Sequence, residues 1–184
     1  MEHFHYKLPG WFTFPSLYSY MASHYKTGHF VEVGCFQGNS AAFMAVEIIN
    51  AGSDIKLDCI DVWNSFTIGG LHLKNPELYP EDLVYHLFIK NIEPVKHIIT
   101  PYRMGSVEAA TLYPDNSLEF VFIDANHEYE AVKADLAAWY PKVKQGGHIA
   151  GHDYISDERV KKAVDEFFEG SFNGDENCWC HFKK

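Results

Sequence analysis

The sequence predicts an α/β protein, a Rossmann-like three-layer αβα sandwich around a mostly parallel sheet. Short apolar runs of strand length alternate with longer amphipathic stretches of helical period, the pattern of βαβ units. The strand runs are almost continuously apolar, as strands covered on both faces are. No repeat or low-complexity linker divides the 184 residues, so one domain over 1–184 is expected, with an N-terminal segment at 1–27.

Residues 29–33 (HFVEV) read as the first strand, which passes through Gly34-Cys35-Phe36-Gln37-Gly38 into a helix over 39–50, stopped by Gly52. Residues 55–61 are a second strand. The stretch 63–80 holds Gly69-Gly70, Pro76 and Pro80, breaks the alternation, and reads as a lid loop over a site. Short helices are expected at 81–93 and 106–113, around a third strand at 97–102 that Pro101 weakens. Strands follow at 118–124 and 147–153. Tyr129, Val132, Leu136, Trp139 and Tyr140 form a helical stripe that Pro141 ends. Val160, Ala163, Val164, Phe167 and Phe168 form another, with Ser156 or Asp157 as N-cap and Gly170 as stop. Residues 178–182 read as a closing strand.

Composition narrows the function. Fifteen basic against twenty-five acidic residues give a formal charge of -10, which argues against a nucleic-acid or anionic-membrane partner. The hydrophobic fraction of 47% is that of a globular chain and excludes a disordered one. An aromatic share of 16% points to a pocket or interface as well as a core, and a homodimer is the expectation drawn from it. Cys35, Cys59, Cys178 and Cys180 contain no C-x-x-C pair, so buried reduced thiols are expected rather than zinc or disulfides. With no basic and apolar leader and no run of about 18 apolar residues, a cytoplasmic protein is expected.

The strand ends carry acids: Glu32, Asp61, Asp124 and Asp153. All C-terminal ends of a parallel sheet share one edge, where ligands of such folds bind. Any one of these acids could be a helix cap or a solvated loop residue. Four in equivalent positions raise one another's pKa unless something positive, or rich in hydroxyl donors, enters between them. A dinucleotide fits poorly, because Phe36 and Asn39 replace the second and third glycines of G-x-G-x-x-G and the acids repel a pyrophosphate. S-adenosylmethionine, with a sulfonium, an ammonium, a ribose diol and no phosphate, fits better. In that reading Asp61 accepts the ribose hydroxyls.

The segment 30–38 (FVEVGCFQG) resembles the first motif of class I S-adenosylmethionine-dependent methyltransferases. The segments 122–130 (FIDANHEYE), 134–136 (ADL) and 146–154 (GGHIAGHDY) resemble more narrowly a small branch related to macrolide-sugar O-methyltransferases. The resemblance spans about 28–168 and implies transfer of a methyl group to a sugar or other small hydroxylated acceptor. It also implies roles for residues. Glu32, Gly34, Cys35, Gly38 and Ser40 would border the methionine part of the cofactor, Asp61 and Val62 the ribose, and Gly105 and Ser106 the adenine. Asp124 and His127 would face the transfer centre, Asp124 also touching the cofactor. Related metal-dependent enzymes hold a divalent ion after the fourth and fifth strands, where Asp124 and Asp153 stand here. Mg2+ would suit the oxygens, and a histidine such as His127 would favour Mn2+. Tyr154 occupies the place of the third ligand, and a phenol ligates Mg2+ poorly.

His127 is the candidate general base, with a helix cap or an orienter of Asp124 as its other readings. His152, placed before Asp153 on the opposite face of a strand, is expected to fix the strand end. Trp11, Phe12, Phe14, Tyr18 and Tyr20, with Trp63, Phe66 and His72, could form an acceptor pocket or pack as core. Two further readings stay open: a nicotinamide-dependent oxidoreductase of similar fold, and a non-catalytic binding module.

Overall fold

The computed structural model describes residues 1–63, 67–68, 71–72, 82–175 and 177–184. The lid expected at 63–80 lies largely outside the described residues, as does Phe66. Trp63 and two two-residue strands, β3 (Thr67–Ile68) and β4 (Leu71–His72), are the described parts. The main sheet consists of β1 (Thr27–Val33), β2 (Asp54–Asp61), β5 (Ile99–Arg103), β6 (Leu118–Ile123), β7 (Val143–Gly151), β8 (Asn173–Asp175) and β9 (Cys178–Phe182). Its order is β5-β2-β1-β6-β7-β9-β8, with β5 to β7 all parallel to β1 and β9 antiparallel to β7.

The helices are α1 (Pro15–His24), α2 (Asn39–Ala51), α3 (Leu83–Ile92), α4 (Ser106–Ala110), α5 (Tyr129–Trp139) and α6 (Glu158–Phe168). Local chemistry sets their ends. Gly52, at φ 62°, closes α2 in the left-handed conformation that glycine adopts without cost. Asp157 caps α6 by accepting the Arg159 N–H at 2.9 Å.

Side-chain alternation along the central strands builds a core on each face of the sheet. Phe30, Phe120 and Phe122 pack with Phe14, Tyr18, Met44 and Phe88 from α1 to α3 and the segment before α1. Val31, Val33, Val121 and Ile123 pack with Leu136, Trp139, Val160 and Val164 from α5 and α6. Each of these large side chains contributes about 1.5–3 kcal/mol by leaving water.

The strand that differs most from expectation is β7; the other expected strands begin and end within two residues of their expected ends. β7 begins at Val143, four residues early, because Val143 pairs with Leu118 before an irregularity shifts the register. It also ends at Gly151, so Asp153 stands beyond the strand, at φ 59°. Gly151 cannot be larger: a Cβ there would lie 2.5 Å from the Ile123 carbonyl oxygen and 2.6 Å from the Trp179 ring.

Candidate active site

The C-terminal ends of β1, β2, β5, β6 and β7 open into one cavity of about 1330 Å3, crossed by residues 9–13 of the N-terminal segment. That exceeds the roughly 300–1,000 Å3 of a single small-ligand site and leaves room for a nucleoside and a second molecule.

The turn after β1 forms one wall. Gly34 has φ 89°, and a Cβ on it would fall 1.9 Å from the Asp124 carbonyl oxygen. The close approach this glycine permits is therefore between the ends of β1 and β6, cemented by Asp124 N–H to Val33 O at 2.8 Å. Asp61 holds the turn from below. Its Oδ2 accepts the Cys35 and Phe36 amides, each at 2.9 Å, and its Oδ1 the Trp63 amide at 2.8 Å. Burial pushes the Asp61 carboxyl up, and these amides pull it down. Gly34, Cys35, Ser40, Asp61 and Val62 all line the cavity.

Glu32 and Gly38 do not line it. Glu32 is 1% exposed and sits behind the wall, its carboxylate accepting Tyr18 Oη–H at 3.0 Å and Ser40 Oγ–H at 2.6 Å. Burial pushes it up to about 7. β1 alternation turns this side chain toward α1 and α2 instead of the ligand edge, so its assignment to the cofactor is corrected to a tie within the fold. Gly38, at φ 84°, begins α2 and packs against Phe88 and Ile92. Cys35 donates its thiol to the Glu32 carbonyl oxygen at 3.3 Å, and burial raises it well out of the reactive range.

The facing side differs. Asp124, His127, His152 and Asp153 converge on the cavity. His127 Nε2 lies 3.2 Å from Asp153 Oδ2 and 3.5 Å from Asp124 Oδ1. His152 Nδ1 lies 3.5 Å from Asp153 Oδ2 and 3.8 Å from Asp124 Oδ2. Ser156 Oγ donates to Asp153 Oδ1 at 2.6 Å, and Thr13 Oγ1 meets His152 Nε2 at 2.9 Å. Asp124 bonding and the nearby Asp153 charge raise the His127 imidazole against its burial. Burial pulls His152 down, yet its bond to Asp153 and the charge of Asp124 leave it raised. His152, with bonds from Ser156 and charge from His127, holds Asp153 well below the usual carboxylate range despite burial.

Two expectations are corrected here. His152 is not on the face opposite Asp153: the strand has ended, and the left-handed backbone at Asp153 brings both side chains to one point. His127 does not cap α5, because Asn126 Oδ1 takes the Glu128 amide at 2.9 Å and Glu128 is the N-cap.

Asp124, His152 and Asp153 each offer one atom within 4.8 Å of the others, a donor set that fits a divalent ion. Tyr154 plays no part, since its hydroxyl donates to Asp165 at 2.7 Å under Lys161. Of the aromatic residues expected to form an acceptor pocket, Trp11 and Phe12 line the cavity. Phe14 and Tyr18 are core, and Tyr20 lies beside His24 and His148. Trp63 is fully buried, its Nε1–H given to the Phe36 carbonyl oxygen at 2.7 Å.

Gly105 and Ser106 line the cavity as expected, but the Ser106 hydroxyl is donated to Asp135 and accepts Trp139 Nε1–H at 2.9 Å. Asp135, quoted within the 134–136 segment but given no role there, and Arg159, not singled out, also lie on the wall. Asp135 had left a signal, for it falls between Val132 and Trp139 on the buried stripe of α5, where a charge is out of place.

A family model described as a methyltransferase domain matches residues 31–154. The uncharacterized protein y4gI of Sinorhizobium fredii is 27% identical over 125 residues, which is 67% of this chain; the chain spans 13% of that curated relative. Among solved structures, the O-methyltransferase NovP superposes with a TM-score of 0.63 at 19% identity, over 92% of this chain and 79% of that one. A Staphylococcus aureus protein described as a caffeoyl-CoA O-methyltransferase superposes with 0.67 at 14% identity, over 97% and 87%. A Thermotoga maritima SAM-dependent O-methyltransferase gives 0.60 at 14%, over 89% and 53%. At these identities the likeness is one of fold. Among the described residues, no helix is long and apolar enough to cross a membrane.

Proposed function

The chain belongs to the methyltransferase-domain family and carries a class I, S-adenosylmethionine-dependent methyltransferase fold, and from that premise we propose that it methylates a hydroxyl of a small acceptor, a sugar foremost. One observation carries the reading. An imidazole flanked by two carboxylates, His127 between Asp124 and Asp153, faces the same cavity as the Gly34 turn.

In this reading the Gly34–Ser40 wall receives the methionine part, Asp61 the ribose, and the 104–107 segment the base. Bound S-adenosylmethionine would supply an electrophilic methyl on a sulfonium, which the neighbouring acids suit and a pyrophosphate would not. The chain must then align the acceptor and take its proton. The His127 imidazole receives the hydroxyl proton, and Asp124 and Asp153, both near its Nε2, stabilise the imidazolium that results. His152, anchored by Thr13, keeps Asp153 in place.

A divalent ion would be held by Asp124, Asp153 and His152, where it would acidify the acceptor hydroxyl. The nitrogen donor favours Mn2+ over Mg2+. Trp11, 61% exposed on the cavity wall, supports a sugar acceptor, because an exposed indole offers a face for a pyranose ring. Arg159, half-exposed on the same wall, offers a polar contact for its hydroxyls.

The test is transfer from methyl-labelled cofactor to a panel of sugars and small phenols, with and without EDTA. Label on a hydroxyl oxygen is the expected result. Label only on nitrogen or carbon acceptors, or none on any acceptor, rejects the proposal. Loss of transfer in EDTA with recovery in Mn2+ supports the ion, and unchanged transfer removes it.

A further inference from the structure

Asp153 is held by a residue 24 positions later in the chain, at the entry to β9. Asn177 Oδ1 accepts the Ile155 amide at 2.6 Å and the Ser156 amide at 2.9 Å. Its Nδ2 donates to Ser156 Oγ at 2.8 Å and to Asp153 Oδ1 at 3.2 Å. Its backbone carbonyl accepts the Tyr154 amide at 3.0 Å. Every residue from 153 to 156 therefore bonds to this one asparagine. The two backbone amides can only donate, so the side-chain oxygen faces them and the NH2 group is left for Asp153 and Ser156.

The backbone explains why such a clamp is needed. Asp153 stands past the last residue of β7 with φ 59°, a left-handed conformation that costs energy for a residue with a Cβ. Asn177 is itself at φ 63°, which asparagine tolerates better than most residues. The clamp also gives the two carboxylate oxygens of Asp153 different partners. Oδ1 takes the Ser156 hydroxyl at 2.6 Å and the Asn177 amide. Oδ2 is the oxygen near both imidazoles, 3.2 Å from His127 Nε2 and 3.5 Å from His152 Nδ1. Without donors on Oδ1 the carboxylate could turn about its Cβ–Cγ bond and lose that division.

We propose that Asn177 is a positioning residue for methyl transfer: through its Nδ2 it keeps Asp153 turned with Oδ2 toward His127. The inference rests on the transfer reading of the cavity given above. Asn177 borders the cavity, yet both its amide protons and both lone pairs of its Oδ1 are already used, so its amide acts through Asp153 and not on the acceptor.

Asn177→Asp in the full chain separates the two halves of the amide. It keeps an oxygen for the Ile155 and Ser156 amides, removes both donors, and sets a second carboxylate against Asp153. Turnover on the acceptor found by the label assay should fall about 10- to 100-fold, the effect of a reacting group displaced by up to about 1 Å. Acceptor KM and S-adenosylhomocysteine affinity should stay within about threefold of wild type. Asn177→Gly, which accepts the left-handed backbone and adds no charge, should show the same loss. An asparagine that only ties down the loop would be replaced by aspartate without harm, so wild-type turnover in either variant overturns the proposal. Cofactor affinity that falls in step with turnover in both variants means a collapsed site and overturns it as well. Wild type that transfers label to no acceptor removes the transfer reading and this assignment together, whereas an active wild type matched by Asn177→Asp removes this assignment alone.

Discussion

On the β1–β2 side of the cavity the acids are occupied by the chain itself. Asp61 holds three backbone amides, and Glu32 holds a tyrosine and a serine hydroxyl. On the β6–β7 side, Asp124 and Asp153 face two imidazoles at 3.2–3.8 Å, longer than most of the bonds across the cavity. Both sides place carboxylates at strand ends. One side uses them to fix a backbone turn, and the other leaves them with partners that exchange protons. The difference lies in what surrounds each acid: on the first side burial raises Asp61 and Glu32 against the donors that hold them, while on the second the histidines keep Asp153 charged.

The comparison breaks first at His127. His127→Ala should lower turnover by about 10²–10⁴-fold, the usual worth of a general base, with cofactor affinity little changed. Steady-state kinetics on an acceptor found by the label assay checks this, and a loss confined to KM would move His127 from chemistry to binding. Gly34→Ala comes next. Its methyl would meet the Asp124 carbonyl at φ 89°, so about 2–5 kcal/mol of stability should disappear in urea unfolding. A near-neutral result would mean that the β1 and β6 ends are not locked together.

The smallest effect sharpens the quiet side. Glu32 is held up at about 7 by burial, above its ordinary 4.5. The folded state therefore binds this proton more tightly than the unfolded chain. Its contribution is fully present below about 4.5 and is lost as pH rises through about 7. Glu32→Gln keeps the shape without the titration, so its unfolding free energy should fall less than wild type's over that window, by up to about 3 kcal/mol. Parallel pH curves for the two proteins would show that Glu32 is not the acid responsible.

Much of the fold could be read from residues. The strand runs, the stripe of α5 and Gly52 each announce themselves through local chemistry, and all appear where periodicity put them. The end of β7 did not, because Gly151 stops there through contact with the Ile123 backbone and the Trp179 ring, which are distant in sequence. The site was legible as a set of acids on one edge but not as a division of labour. Whether Glu32 faces a ligand or Tyr18 depends on a helix 14 residues earlier, and Ser106 depends on a partner 29 residues later. Strand alternation misplaces His152 because the left-handed backbone at Asp153 breaks it. Asp135 could have been found as a charge on an apolar face, a conflict between pattern and residue that often marks a functional position.

The most direct test of the contrast between the two sides is calorimetric binding of S-adenosylhomocysteine to wild type, His127→Ala and Asp61→Ala. One molecule per chain should bind wild type and His127→Ala within about threefold of each other. Asp61→Ala, lacking both the turn's anchor and the ribose acceptor, should bind about 10- to 100-fold more weakly. If His127→Ala lost affinity as Asp61→Ala does, or if Asp61→Ala bound like wild type, the two sides would not divide binding from chemistry as described.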